Sequence, residues 1–555
     1  MKSSSLFFGV MLAAMSALQA QGLDPRLLGQ PPTQAWPTYH GDYSGRRYST
    51  LKQISRANVK DLSLGWVHRL QLGTQGANIG GEGANGPPVD AVESRFGRGL
   101  AKATPLMVNG VIYYSAPDNV WAIDARSGEA IWHYFWKTTG GIHIGNRGVG
   151  MYGNWLYFET PDDFIVSLDA ATGQERWHKK IADVKHDYFA TSAPIVIGHH
   201  VIVGLGGDSG NEPGWLEARD PDSGEIQWKW FTTPRPGQPG AETWPNAAAM
   251  EHGGGMPWAP QTYDPELKLL YVPTGNPSPV QIGDARMGDN LWTESIVALD
   301  IETGKLVWYF QCSPHDTHDW DASEVPVLFD AIIDGKPRKL VAQASRNGLF
   351  FVLDRITGKA LVSTPFVASA NWYLGFDKRG EPIPNPAKEP QIGGVLVSPS
   401  NGGAANWLPP TYSPDTGLFY VNASETYSLY YRTQKDPNVV GSGGFVENGL
   451  GGFSNSLRAI NARTGKIRWS HTYAGVRDAA ARPERNGGLM STAGRLVFGG
   501  GLSSQVVAYD DTSGKILWHS GLHAPMNNAP ITYLLDGVQY VVVGADDSLY
   551  AFRLQ

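Results

Sequence analysis

The sequence predicts an all-β fold: an eight-bladed β-propeller with tryptophan-docking motifs, closed by pairing of its N- and C-terminal strands. Three observations predict it. A short pattern, an apolar strand followed by A/L-x-D-x-x-[ST]-G-x-x-x-W, recurs along the chain. Its turn residues Asp124, Asp169, Asp220, Asp300, Asp354, Asn461 and Asp510 stand 45, 51, 80, 54, 107 and 49 positions apart. Steps of about 40–50 residues are the length of one four-stranded blade.

The elements follow in order. Asp, Ser or Thr, and Gly make a tight turn between two strands, with Gly taking the positive-φ position. The Trp four residues after the Gly stands at 132, 177, 228, 308, 469 and 518, and Val362 replaces it once. A flat indole with one N–H can wedge between neighbouring sheets and still satisfy its polar atom. Another apolar run precedes each turn, as at 106–115, 155–159, 195–204, 269–274, 418–422, 497–500 and 540–544. The two long steps each hold a blade plus an insertion, expected at 277–292 and 435–456. Seven turn units and a last strand at 548–553 make eight blades. That last blade would be completed by the strand at 62–70, which removes free sheet edges. Residues 73–99 are Gly-rich and read as a long loop.

Composition narrows the function. With 45 Lys plus Arg against 52 Asp plus Glu, the net charge is −7, which argues against a nucleic-acid surface. Cys312 is the single cysteine. It leaves no internal disulfide, no Cys-ligated zinc cluster and no C-x-x-C-H attachment for haem. Residues 1–20 read as an export signal: Lys2, an apolar run at 6–17, and Ala20 before a cut at Gln21. Residues 21–555 then form one exported propeller domain, with no membrane span in the mature chain and a periplasmic location.

The chemistry concentrates at 313–322, SPHDTHDWDA. Asp319 and Asp321 are two positions apart, so an extended chain points both carboxylates to one side. Two such carboxylates hold a cation or raise one another's pKa. In a polar loop they would instead cap backbone amides.

These motifs occur together and in order: Asn146-Arg147-Gly148, Gly275-Asn276-Pro277, SPHDTHDWDA, Ser345-Arg346-Asn347-Gly348 and Asn406-Trp407. On them the chain resembles the alcohol dehydrogenases that depend on pyrroloquinoline quinone (PQQ), soluble quinoproteins with an eight-bladed propeller. The resemblance implies PQQ, one Ca²⁺ or lanthanide ion and no haem. It implies Asp319 as catalytic base and metal ligand, with Asn276 as a further ligand. Asp321 matches the extra acid of lanthanide users. Arg346 would reach the quinone oxygens, Trp258 would stack on the ring, and Arg147, Thr191 and Asn406 would contact the cofactor.

The chain also departs from the pattern. At 204–209, Ser209 falls where the family keeps its glutamate metal ligand, with Gly207 and Asp208 beside it as cofactor contacts. Lys102 stands in place of a glutamate that contacts the quinone. Gly141-Ile142 replaces two adjacent cysteines, and Asn486 lies where an aromatic residue is usual. The resulting expectation is oxidation of an alcohol to an aldehyde or ketone, with electrons passed to a separate acceptor such as cytochrome c. The oligomeric state stays open, a homodimer among the options. The opposing expectation is a propeller scaffold of the cell envelope without catalysis, for which Ser209 and Lys102 would be the marks of a lost site.

Overall fold

A computed structural model describes residues 22–84, 102–207, 212–432, 443–448, 450, 454–473, 487–501 and 504–555. Within these the chain is an all-β propeller, and its one α-helix is the short Ala247–Glu251. Eight sheets of four or five strands follow one another. Seven span 106–136, 150–180, 195–231, 262–311, 327–365, 411–472 and 490–521. The eighth joins Leu62–Arg69 to the last three strands, with Leu62 opposite Leu554. Each sheet places alternate apolar residues against its neighbours, so the core is a series of buried clusters between sheets.

The recurrent tryptophans, with Trp66 of the strand Leu62–Arg69, link these sheets in sequence. Trp66 donates from its indole N–H to the Ala125 carbonyl, Trp132 to Ala170 and Trp228 to Ile301. Trp308 donates to Arg355, Trp469 to Asp511 and Trp518 to Leu62. The first five acceptors sit directly after the turn residue of the following sheet, and Leu62 opens the strand Leu62–Arg69. Two positions differ. Val362 packs without a polar contact, where a Cβ on Gly465 would lie 2.8 Å from its Cγ1. The buried Trp177 N–H has no hydrogen-bond partner. The equivalent carbonyl, that of Pro221, already accepts from Tyr157 and Arg176.

The excursions differ from the sequence reading. Residues 277–292 are an insertion, as expected, and it is pinned from within. Buried Arg286 donates to the carbonyls of Pro279, Val280 and Asp316 and to Asn290 Oδ1. Residues 366–410 form an excursion that the sequence reading missed. It carries the ribbon Tyr373–Phe376 with Pro382–Pro384, and the strand Val395–Val397. That strand pairs with Ser428–Arg432, which pairs with Gly444–Asn448 inside the second expected insertion. Its alternation is broken by Pro and Gly, so no strand periodicity marks it. The stretch at 73–99 is not loop throughout: Asn78–Gly80 pairs in parallel with Tyr134–Trp136. Residues 1–20, the remainder of that stretch from 85, and Asp208, Ser209 and Asn486 lie outside the described residues. No helix among the described residues is long and apolar enough to cross a membrane.

Candidate active site

One cavity of about 370 Å³ gathers Lys102, Arg147, Thr191, Trp258, Asp319, Asp321, Arg346 and Asn406. These come from seven separate parts of the chain, brought together where strands of successive sheets end. The size suits a drug-sized ligand.

Asp319 and Asp321 do face one space, but not through an extended chain. Asp319 has φ +67°, in the left-handed region. What holds it there is Asp316, whose Oδ2 accepts backbone N–H bonds from His318, Asp319 and Trp320 at 3.1, 2.9 and 3.3 Å. Burial alone would raise the Asp316 carboxyl. His318 beside it and these backbone donors hold it below its ordinary value. An Asp ahead of a turn is a readable capping signal, yet the sequence reading gave Asp316 no role.

Arg346 spans the two carboxylates. Its Nη1 donates to Asp321 Oδ2 at 2.5 Å, and its Nη2 lies 3.3 Å from Asp319 Oδ2. Both Nε and Nη2 also donate to the Asn401 carbonyl, so the missed excursion fixes the guanidinium plane. Asp321 is buried, and burial pushes its carboxyl up against the opposing pull of Arg346.

Asn276 stands next to this group rather than among the cavity-lining residues. Its backbone N–H donates to Asp321 Oδ1 at 2.9 Å. Gly275 permits this approach, since a Cβ there would lie 2.5 Å from Asp321 Oδ1. The Asn276 amide oxygen is buried without a hydrogen-bond partner. An orphaned amide oxygen beside two carboxylates is an all-oxygen donor set that fits a hard cation.

The other wall is aromatic and cationic. The Arg147 guanidinium lies 4.4 Å from the Trp258 ring centre and 4.9 Å from that of Trp407. Arg147 Nη1 also donates to Thr191 Oγ1 and to the Thr191 carbonyl. Trp407, Phe189 and Asn401 line the cavity as well and were missed as site residues. Lys102 reaches the rim and donates to the Ile144 carbonyl at 2.6 Å. Flat rings with three cationic side chains fit a planar polyanion such as PQQ. Gly207 does not line the cavity; a Cβ there would lie 3.1 Å from Tyr188.

Gly141 has a steric reason. Its φ is +85°, and a Cβ would sit 1.9 Å from the Pro161 carbonyl oxygen. A cysteine does not fit this backbone. Behind the Arg147 wall, Glu159 accepts the Ser192 N–H at 2.7 Å while its Oε1 is buried without a partner.

A family model described as the PQQ-type glucose/ethanol/alcohol dehydrogenase β-propeller domain matches residues 36–368 and 455–541. The chain belongs to this family, the PQQ-dependent alcohol dehydrogenases. A quinohaemoprotein alcohol dehydrogenase of Comamonas testosteroni is 36% identical, over 96% of this chain and 75% of that one. The quinoprotein alcohol dehydrogenase PedH of Pseudomonas putida is 32% identical, over 97% of this chain and 90% of its own length. Among solved structures, a europium-containing methanol dehydrogenase superposes with a TM-score of 0.80 at 28% identity, covering 95% of this chain and 99% of that one.

These family members correct one expectation. Relatives from Comamonas testosteroni and Pseudomonas putida are named quinohaemoproteins, so the exclusion of haem does not stand. The lone Cys312 speaks only to covalent attachment within these 555 residues. The chain spans 75, 71 and 77% of the length of those relatives.

Proposed function

We propose that the chain oxidises an alcohol to an aldehyde or ketone in the 370 Å³ cavity. The observation that carries this reading is the convergence of Asp319, Asp321 and Arg346 with Arg147, Thr191, Trp258, Asn406 and Lys102 on that one space. Asp319 takes the hydroxyl proton, and Arg346 holds its carboxylate in position and balances charge. Asn276, Asp319 and Asp321 would hold a Ca²⁺ or lanthanide ion. Trp258, Arg147, Thr191 and Asn406 would hold PQQ, with Lys102 and Arg346 as its cationic partners. When bound, the quinone supplies the two-electron acceptor and the ion a Lewis acid. The substrate gives up two protons and two electrons. The electrons leave for an acceptor such as a cytochrome c.

The fold reading belongs here too. We read the eight sheets as eight blades, with the tryptophan contacts as docking links and the pairing of Leu62–Arg69 with Ser548–Leu554 as the closure. Residues 1–20 are read as an export signal to the periplasm, ahead of one propeller domain over 21–555.

The test is dye-linked alcohol oxidation by purified protein given PQQ with calcium or with lanthanum, repeated with Asp319→Asn. Turnover that requires quinone and ion and falls by about 10²–10⁴ in the variant is expected for loss of a general base. Absence of quinone binding with either ion would overturn the reading.

A further inference from the structure

We propose that His199, His200 and Glu302 form a second metal site, one for a divalent transition ion of the zinc type. It lies at the ends of two sheets away from the cavity. His199 and His200 occupy the turn between the strands Ile195–Ile197 and His200–Gly204. Glu302 occupies the turn between Ser295–Asp300 and Leu306–Gln311 of the next sheet. From these turns the strand His200–Gly204 runs to Gly206, which bridges to cavity-lining Phe189, and the strand Leu306–Gln311 runs to the loop that carries Asp319. An ion here would clip the two sheets together.

The three ligand atoms lie within 4.8 Å of one another. Glu302 Oε2 is 3.3 Å from His200 Nε2 and 3.6 Å from His199 Nε2. A tetrahedral ion bound at about 2.0–2.1 Å separates its donor atoms by roughly 3.3 Å. Two imidazoles and one carboxylate, with one position left for water, are a zinc-type ligand set.

A supporting shell fixes which nitrogen faces the site. Gln227 Nε2 donates to the His199 carbonyl at 2.9 Å, which turns Gln227 Oε1 toward His200 Nδ1. His200 therefore donates from Nδ1 and presents Nε2 toward Glu302. An outer hydrogen bond of this kind orients metal-ligating histidines. His200 is only 4% exposed, so its ring is held by packing as well. Without a cation, its Nε2 lone pair would face a carboxylate oxygen, which also has only lone pairs to offer. Either a second proton on the ring or a metal ion resolves this. The third group, His199, converges on the same oxygen and favours the ion. Glu302 is itself held in place, since Trp228 donates to the adjacent Ile301 carbonyl at 2.8 Å.

The test uses the enzyme loaded with quinone and calcium, so that the cavity is already filled. Zinc chloride is titrated in by calorimetry, and copper(II) is bound in parallel for electron paramagnetic resonance. One zinc per chain with a micromolar Kd, and nitrogen couplings on the copper signal, are expected. His199→Ala and Glu302→Gln, both at exposed positions, should each weaken zinc at least tenfold. Circular dichroism and alcohol oxidation should stay unchanged, and His523→Ala, in the separate cluster of His523 with Asp546 and Asp547, should leave zinc binding unaltered. A wild-type protein without a saturable zinc site, meaning a protonated ion pair only, would overturn the proposal. So would wild-type zinc affinity in both variants.

Discussion

Arg346 is the direct counter-charge of Asp321, with Nη1 2.5 Å from Oδ2 and both groups buried. The same guanidinium reaches Asp319, so one side chain sets the spacing of two carboxylates. A lysine offers a single point charge and cannot span both. Arg346→Lys is expected to lower kcat/KM by about 10²–10³, the range for removing a preorganised donor. Steady-state kinetics on the reconstituted enzyme check this; a loss under threefold would remove Arg346 from the charge balance.

Asp321 adds a second carboxylate beside Asp319 and the orphaned amide oxygen of Asn276. Asp321→Asn keeps the shape but removes one negative charge and one of the two oxygens that accept from Arg346 and from the Asn276 N–H. Turnover supported by lanthanum should fall more than tenfold further than turnover supported by calcium, because ligand charge count tunes affinity for hard cations. Parallel ion titrations give the comparison, and equal losses would detach Asp321 from ion choice.

Asp316 acts on Asp319 through the backbone. Asp316→Ala leaves three N–H groups without their acceptor, those of buried His318 and Trp320 and of part-buried Asp319. Each such group costs about 1–3 kcal/mol, so a loss of at least 2 kcal/mol in stability is expected. A fall in kcat of roughly tenfold or more should accompany it, since a misplacement of about 1 Å can cost 10²-fold. Asp316→Asn keeps an oxygen for these donors and should recover most of both. Thermal unfolding and kcat read together separate this from simple destabilisation.

Glu159 sets a pH dependence of stability. Burial pushes its carboxyl up to about 8, with the Ser192 N–H pulling it down and Asp163 pushing it up. Between the ordinary carboxyl value near 4.5 and about 8, the folded protein keeps a proton that the unfolded chain has released. Stability from this group is therefore whole below 4.5 and declines as pH rises through the window. Glu159→Gln carries no such proton. The stability of wild type relative to Glu159→Gln should fall between pH 5 and 8, by up to about 1.4 kcal/mol per pH unit. Denaturant unfolding at three pH values measures it, and a flat difference would mean that Glu159 ionises freely in the fold.

The tryptophan links are not equivalent. Trp308 donates to the Arg355 carbonyl at 3.1 Å, whereas the Trp177 N–H is buried without an acceptor. Replacement by Phe removes a hydrogen bond in the first case and an unsatisfied donor in the second. Trp308→Phe should be more destabilising than Trp177→Phe by about 1 kcal/mol. Paired unfolding curves decide it.

Much of this was legible in the residues. The Asp-to-Gly turns and their Trp partners marked the sheets because each turn needs a fixed chemistry at fixed offsets. Asp319, Arg346, Arg147 and Trp258 stood in motifs, and all meet at one cavity. The excursion at 366–410 was not legible, since its short strands carry Pro and Gly and lack a sustained period. Asn401 follows from that same gap, whereas Trp407 stood in a motif beside Asn406 and was given no role. Asp316 escaped for another reason: its work is done on backbone N–H groups, which every residue has. The left-handed turn at Asp319 was hidden too, because alternation in a D-x-D pair assumes an extended chain.

The sheet that unites Leu62–Arg69 with Ser548–Leu554 brings together Ser63 and Arg553, 490 positions apart. Its assembly has a kinetic meaning. Closing so long a loop carries an entropic penalty that grows as the logarithm of its length, and this falls before any of its contacts are gained. Seven local sheets can form as their own segments become available, while this one waits for nearly the whole chain. A nascent or nicked molecule thus spends its immature life with bare strand edges at both ends. The joint between Leu62–Arg69 and the last strand is where chaperone dependence, proteolysis and misassociation would concentrate.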